Sequence, residues 1–251
     1  MIEVRAARSG DLPRLKALWF DSFGDDGSFI RHFFSDAFSP RRSMVLLEDG
    51  ALACALYWFD CHVNGLKIAY LYAVATFPAH RGKGLGSALL EATHRHLAGL
   101  GYASVILSPG EPELYDFYSR FGYRICSHHR EFYARPEAPV SLLPVAPDDY
   151  NRLRRDYLPE NSIYYDEAGL AFLAHMARLY QGDGFVCAVS VYDATVLELL
   201  GNTSCAGGIA AALGGGQALI RTPGMDEPYA MALALGQNEL PGEMYLGFAF
   251  D

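Results

Sequence analysis

The sequence is short of several things that define large functional classes. It has no long basic run: 20 lysines and arginines stand against 29 aspartates and glutamates, for a formal net charge of −9. That balance argues against nucleic acid as a main partner and against an anionic membrane surface. No apolar run approaches the roughly 20 residues that cross a bilayer. The opening residues, MIEVRAARSGD, carry no apolar signal segment. The cysteines at 54, 61, 126, 187 and 205 are odd in number, scattered, and never in a C-x-x-C pair. Reduced thiols in a cytoplasm are therefore expected, with no disulfide framework. Neither C-x-x-C nor H-E-x-x-H suggests a metal, so none is expected. A Walker loop is excluded because G-x-x-x-x-G-K-S/T is absent. A Rossmann fingerprint needs an acidic residue about twenty positions after its glycines, and Gly101–Leu107 offers none.

What is present is apolar material. Hydrophobic residues make up 51% of the 251, with 16 tyrosines and 15 phenylalanines, enough for one large domain or two modest ones. Ile2–Ala6 alternates as a first strand. Ser9 or Asp11 can cap a helix over Leu12–Phe20, whose inner face is Leu12, Leu15, Leu18 and Trp19. Phe29–Phe38 reads as a second helix with an aromatic side. Met44–Glu48 and Ala51–Phe59 flank Asp49-Gly50, a hairpin signal, and Asn64-Gly65 turns the chain into a buried strand over Ile68–Phe77. Three antiparallel strands thus lead to Pro78. A helix over Ser87–Leu97, a strand over Tyr102–Leu107, a helix over Glu113–Phe121 and a strand over Tyr123–Ala134 follow.

Between Pro78 and the Ser87 helix lies Arg81-Gly82-Lys83-Gly84-Leu85-Gly86. A strand feeding a glycine-rich turn feeding a helix is suited to holding phosphate. The first N–H groups of a helix have no partner within it, and the helix dipole adds partial positive charge there. Glycines remove the side chains that would keep an anion away, and Arg81 and Lys83 add full charges.

Arg81-x-x-Gly84-x-Gly86 resembles the R/Q-x-x-G-x-G/A pyrophosphate signature of the GCN5-related N-acetyltransferases (GNAT). Tyr118-Ser119-Arg120-Phe121-Gly122-Tyr123 is similar to that family's Y-x-x-x-G-F/Y segment, and the order of elements between the two is also the family's. The resemblance implies an α/β chain, with a mixed sheet in the acyl-CoA N-acyltransferase fold, and acetyl-CoA as co-substrate. It implies that the backbone of Arg81, Gly82, Lys83, Gly84, Leu85, Gly86 and Ser87 binds the pyrophosphate. It implies that Val74, Ala75 and Thr76 hydrogen-bond the pantetheine arm, and that Tyr118 protonates the departing thiolate, with Tyr115, one helical turn earlier, as the fallback. In such proteins the region that corresponds to the Phe29–Phe38 helix helps to form the acceptor site, although core packing is the commoner fate of an aromatic stripe.

No base is singled out. Glu48 and Asp60 lie near strands of the sheet without anything to rank them. In tandem aminoglycoside acetyltransferases of the enhanced-intracellular-survival type the terminal carboxylate is the base. This sequence closes with the apolar Tyr245–Phe250 and Asp251, which a last sheet strand explains more simply. His94 and His96 point apart on a helix, and His128 and His129 face opposite sides of a strand, so neither pair is a metal site.

Arg135-Pro136-Glu137-Ala138-Pro139 reads as a linker. Beyond it, Asp149-x-x-Arg152-Leu153 echoes Asp11-x-x-Arg14-Leu15, and Ala218–Gly224 echoes Ser104–Gly110, in the same order and closer together. The phosphate loop is missing from this second copy: Gly201–Gly208 has neither arginine nor lysine. The expected organisation is therefore 1–135 as the GNAT domain with the acetyl-CoA site, 136–139 as linker, and 140–251 as a shorter degenerate GNAT-like domain. The expected activity is acetyl transfer to a primary amine of a small molecule or peptide, compatible with a homodimer. A non-catalytic acyl-CoA-binding sensor is the alternative.

Overall fold

The structure is a computed structural model that describes residues 1–249. The chain divides into two compact units, Met1–Leu107 with Leu233–Leu240, and Ser108–Ala232 with the described part of Pro241–Asp251.

In the first unit, β1 (Ile2–Ala6), β2 (Ser43–Glu48), β3 (Ala51–Val63), β4 (Leu66–Thr76) and β5 (Ser104–Leu107) lie side by side in chain order. The first four are antiparallel. β5 runs parallel to β4 and is reached through α3 (Leu85–Gly99). Both hairpin turns have positive φ at their two central residues, 51° and 82° at Asp49-Gly50 and 48° and 78° at Asn64-Gly65. That is the conformation which matches the strand twist.

Helix α1 (Leu12–Phe23) buries Leu15, Leu18 and Trp19. Asp11 precedes it without a side-chain cap bond, contrary to the capping role expected. Its carboxylate instead accepts two hydrogen bonds from Arg5, at 2.7 and 2.9 Å, and one from the Arg8 N–H. The Arg5 hydrogen bonds lower its pKa. The second helix also departs from expectation. α2 covers Gly27–His32 only, and Phe33–Ala37 forms a wider π turn closed by Phe38 N–H to Phe33 O at 2.8 Å. The widened turn lets two consecutive rings reach Trp19, Phe33 at 4.4 Å and Phe34 at 5.9 Å between centroids. Phe33 of the aromatic stripe is core, while Phe29, Phe34 and Phe38 are half-buried.

The second unit contains α4 (Pro112–Ser119), β6 (Arg124–Ala134), β7 (Leu143–Pro144), α5 (Pro147–Arg154), β8 (Tyr164–Tyr165), α6 (Glu167–Met176), β9 (Ala177–Gly182), β10 (Phe185–Ser190), β11 (Val196–Gly201), α7 (Ala206–Ala212), β12 (Ala218–Pro223) and β13 (Glu227–Ala234) up to Ala232. Its sheet order is β13-β6-β12-β11-β10-β9-β7. Only the β11–β12 pair is parallel, with α7 between. The segment read as a linker is pinned here: Glu137 N–H donates to Gly207 O at 3.0 Å and Val140 N–H to Gly208 O at 3.3 Å. A Cβ on Gly207 or Gly208 would come within 2.8 Å of that segment. Tyr245–Phe250 is no sheet strand over its described residues. Tyr245 makes one bridge to Ser162, and Leu246 and Phe248 turn inward, 0% and 1% exposed. Asp251 lies outside the described residues.

Beneath Leu246–Phe248 is a buried ion pair. Arg154 of α5 donates from Nη2 to Glu198 Oε1 of β11 at 2.7 Å, and both side chains are fully buried. Tyr150 and Tyr245 donate their hydroxyls to the same carboxylate at 2.8 and 3.2 Å. The Arg154 guanidinium also lies over the Phe248 ring.

Cys126 and Cys187 are buried thiols of this unit, each pushed by desolvation to a pKa of about 12. In the unfolded chain they titrate near 9. Above that pH the unfolded state binds fewer protons than the folded one, so stability falls as pH rises. The two together are expected to remove on the order of 2–3 kcal/mol per pH unit between about pH 10 and 12. Urea titrations at pH 8, 10 and 11 check this against a Cys126→Ala, Cys187→Ala variant, which should lose less. Equal losses would contradict it.

Candidate active site

In the first unit the site is built on the C-terminal half of β4. Its pairing with β5 extends only over Ile68–Tyr70, so Leu71–Thr76 leave that neighbour. On the other side the β3 register slips between Ala55 and Tyr57, which face Ala75 and Tyr72. One extra residue is therefore accommodated on β4, and Ala73 takes φ 49°. A bulge of this kind leaves backbone groups unpaired and re-aims the strand. Val74, Ala75 and Thr76 can thus pair with an extended ligand as a further strand would. This bulge has no signature in the sequence, because alanine is a poor left-handed residue.

The chain then passes through Pro78–His80 into the exposed Arg81–Gly84 turn. Gly82 and Gly84 have φ of 75° and 73°, a region open to glycine at little cost. Gly84 is the N-cap of the 15-residue α3, so the N–H groups of Leu85, Gly86 and Ser87 have no acceptor within the helix. The Arg81 guanidinium donates from Nε to Thr76 O at 3.0 Å, which ties the loop to the end of β4, and the residue stays exposed. Lys83 is less available than expected. Its Nζ lies 3.0 Å from Glu48 Oε2, and His80 Nδ1 lies 2.7 Å from the same oxygen. The hydrogen bonds from Lys83 and then His80 lower the Glu48 pKa. Glu48, one of the two carboxylates considered as bases, is thus held by Lys83 and His80. The other, Asp60, accepts the Tyr102 hydroxyl.

In the second unit, Pro112 opens α4 at its first turn, where its missing N–H costs nothing. Tyr118 is 7% exposed and sits between Phe117 and Tyr123, with centroids at 5.1 and 5.5 Å. Desolvation pushes its phenol up to about 12. Tyr115, one turn earlier, donates to Pro228 O at 2.9 Å. Near Tyr115 lies a groove of about 460 Å³ bordered by His129, Glu131 and Arg221. His129, which the sequence marks only as facing away from His128 on a strand, is 8% exposed. The i, i+2 spacing of His129 and Glu131 puts both on one face of a strand, but Arg221 joins them only through the β6–β12 register.

Residues 3–126 match the family described as Acetyltransferase (GNAT) domain. No curated protein matches the chain. Among solved structures, a GCN5-related N-acetyltransferase from Kribbella flavida superposes with a TM-score of 0.70 at 14% identity, covering 94% of this chain and 71% of that one. Eis1 from Mycobacterium abscessus gives 0.69 at 12% identity, covering 94% and 74%. A putative acetyltransferase from Pyrococcus horikoshii gives 0.62 at 14% identity, covering 98% and 95%. At such identities the likeness is one of fold. No helix among the described residues is long and apolar enough to cross a membrane. The chain has the mixed α/β fold of the GNAT acyl-CoA N-acyltransferases, and its match to the acetyltransferase family is over residues 3–126.

Proposed function

We propose that the protein transfers an acetyl group from acetyl-CoA to a primary amine of a small molecule or peptide by direct attack. The observation that carries this reading is the continuous path from a bulged strand end, open on its β5 side, into a glycine loop that caps a long helix. An acyl-pantetheine arm would pair along Val74–Thr76, and its pyrophosphate would meet the amides of Gly82–Ser87 and the charge on Arg81. Anchoring both ends holds the thioester carbonyl still, which lowers the barrier by removing translational and rotational freedom.

The neutral amine adds to that carbonyl, the C–S bond breaks, and the proton lost by the amine balances the one gained by the thiol. Tyr118 is the hydrogen-bond donor to the departing sulfur. A phenol held up to about 12 keeps its proton throughout the working range. A thiol titrates near 8.5, so Tyr118 stabilises the developing thiolate mainly by donation, and water completes its protonation. Tyr118→Phe is expected to lower kcat by about 10²-fold while leaving the acetyl-CoA-induced thermal shift unchanged. Thiol release measured with a panel of amines checks this. Wild-type turnover in the variant would remove Tyr118 from the mechanism.

The second half is, in this reading, a degenerate copy of the first. β7, α5, β9, β10, β11, α7 and β12 follow one another as β1, α1, β2, β3, β4, α3 and β5 do, including one parallel pair bridged by a helix. Its helix is only seven residues long, and the 137–140 segment packs against the two glycines where a phosphate would otherwise approach. Acetyl-CoA would therefore bind once per chain.

A further inference from the structure

The groove of the second unit contains a histidine whose environment is unusual for a structural residue. On β6, His129 and Glu131 share one face. The strand register sets Arg221 of β12 opposite Glu131 and Glu227 of β13 opposite His129. Arg221 Nε donates to Glu131 Oε1 at 2.5 Å, and His129 Nε2 lies 3.3 Å from that same oxygen. The Tyr229 ring meets the imidazole edge-on at 4.4 Å between centroids. A carboxylate at Nε2 assigns the proton to that nitrogen and leaves Nδ1 as an acceptor. Nδ1 is buried and has no hydrogen-bond partner among the described residues. An unsatisfied buried acceptor is costly, so a donor arriving from the groove would be favoured there.

The charges around the groove indicate what kind of donor. Among the described residues that border it, Arg221 is the one cation, against Glu131, Asp226 and Glu227. Arg221 pairs with Glu131, and outside the lining Arg130 Nε lies 3.7 Å from Asp226, which leaves Glu227 with no ion pair to a lysine or arginine among the described residues. Anions such as phosphates or carboxylates are repelled, and an ammonium ion is attracted. Desolvation first, and Arg221 as well, lower the His129 pKa; Glu131 and Glu227 oppose them without reversing the shift. The imidazole is neutral at pH 7 and able to accept a proton. Tyr115, whose side chain lines the groove, is one helical turn from Tyr118.

We propose that this groove receives the acceptor as a primary alkylammonium ion and that His129, held by Glu131, takes its proton. The step breaks one N–H bond of the ammonium and forms Nδ1–H on His129. The amine is left neutral, and the imidazolium is countered by Glu131 until its proton returns to solvent. This inference rests on the acetyl-transfer reading above.

Its test uses the full chain with 1,4-diaminobutane as the probe. Histidine ring signals are followed by NMR, with that of His129 assigned by its loss in His129→Gln. The His129 signal is expected to shift saturably with diaminobutane, but not with sodium chloride of equal ionic strength. A Glu131→Gln, Glu227→Gln variant should abolish the shift while keeping wild-type dispersion elsewhere. For an amine that is turned over, His129→Gln should lose about 10²-fold in kcat near pH 7, and the loss should shrink towards pH 10, where the amine deprotonates unaided. A signal that stays unmoved at millimolar diaminobutane, or an unchanged pH profile, overturns the assignment. Acetyl-CoA thermal shifts on the same samples separate the two ideas. If acetyl-CoA binds but the His129 signal is unmoved, the groove assignment fails and the acetyl-transfer reading stands. If the diamine binds but acetyl-CoA does not, the acetyl-transfer reading fails and takes the acceptor role of the groove with it.

Discussion

Glu198→Ala is expected to destabilise the second unit by about 3–5 kcal/mol, a large share of the roughly 5–15 kcal/mol that typically separates a folded domain from its unfolded chain. The reason is Arg154. Its side chain is fully buried, its Nε and Nη1 already lack hydrogen-bond partners among the described residues, and removing Glu198 would leave the whole charge uncompensated. The Tyr150 and Tyr245 hydroxyls would lose their acceptor in the same step. Replacing both charges, as in Arg154→Met, Glu198→Leu, should cost much less, because desolvation of the pair offsets most of its attraction. Urea titration of the three proteins decides the matter. If Glu198→Ala shifts the midpoint no further than the double variant, the pair is not what holds this core. Gly247→Ala probes the same place from the chain: a Cβ there would be driven onto the Glu198 carboxylate and to 2.5 Å from Arg154 Nη2, both fixed by burial.

Acetyl-CoA at a hundred times its dissociation constant is expected to stabilise the wild-type protein by about 2.7 kcal/mol, a rise in Tm of roughly 5–10 °C for a chain of this size. Arg81→Ala, Gly84→Glu should abolish the shift. The first change removes the guanidinium that ties the loop to Thr76 O. The second places a carboxylate beside the free amides and forces a side chain onto a backbone at φ 73°. Arg81→Ala alone guards against misfolding, since its side chain is exposed and carries no core contact. It should fold normally and bind more weakly. Thermal melts with and without ligand provide the measurement. A full shift in the double variant would mean that the glycine turn serves the chain alone.

The candidate residues were not equally open to reading from the sequence. The glycine loop is local: its spacing, the apolar strand before it and the amphipathic helix after it are all contiguous, so the glycine turn and a helix after it followed from neighbours within a few residues, although the helix starts at Leu85 and not at Ser87. The hairpins at Asp49-Gly50 and Asn64-Gly65 were legible for the same reason, because a two-residue turn specifies its own backbone. Trp19 and the phenylalanines of 29–38 could be recognised as an aromatic stripe. The π turn that brings Phe33 and Phe34 to one ring depends on Trp19, which packing and not sequence brings there.

Contacts set by strand register were out of reach. Lys83 reads as a phosphate ligand until β2 carries Glu48 to it. Asp11 reads as a cap until Arg5 of β1 claims its carboxylate. His129 reads as an ordinary histidine until β12 and β13 set Arg221 and Glu227 beside it and its partner. Local sequence determined where the backbone could turn, start a helix or bind an anion, since those depend on φ, on missing side chains and on unpaired amides close along the chain. Only the tertiary structure decided which charges meet and which polar atoms are left buried without partners, since those depend on residues tens of positions apart being brought to one face of a sheet.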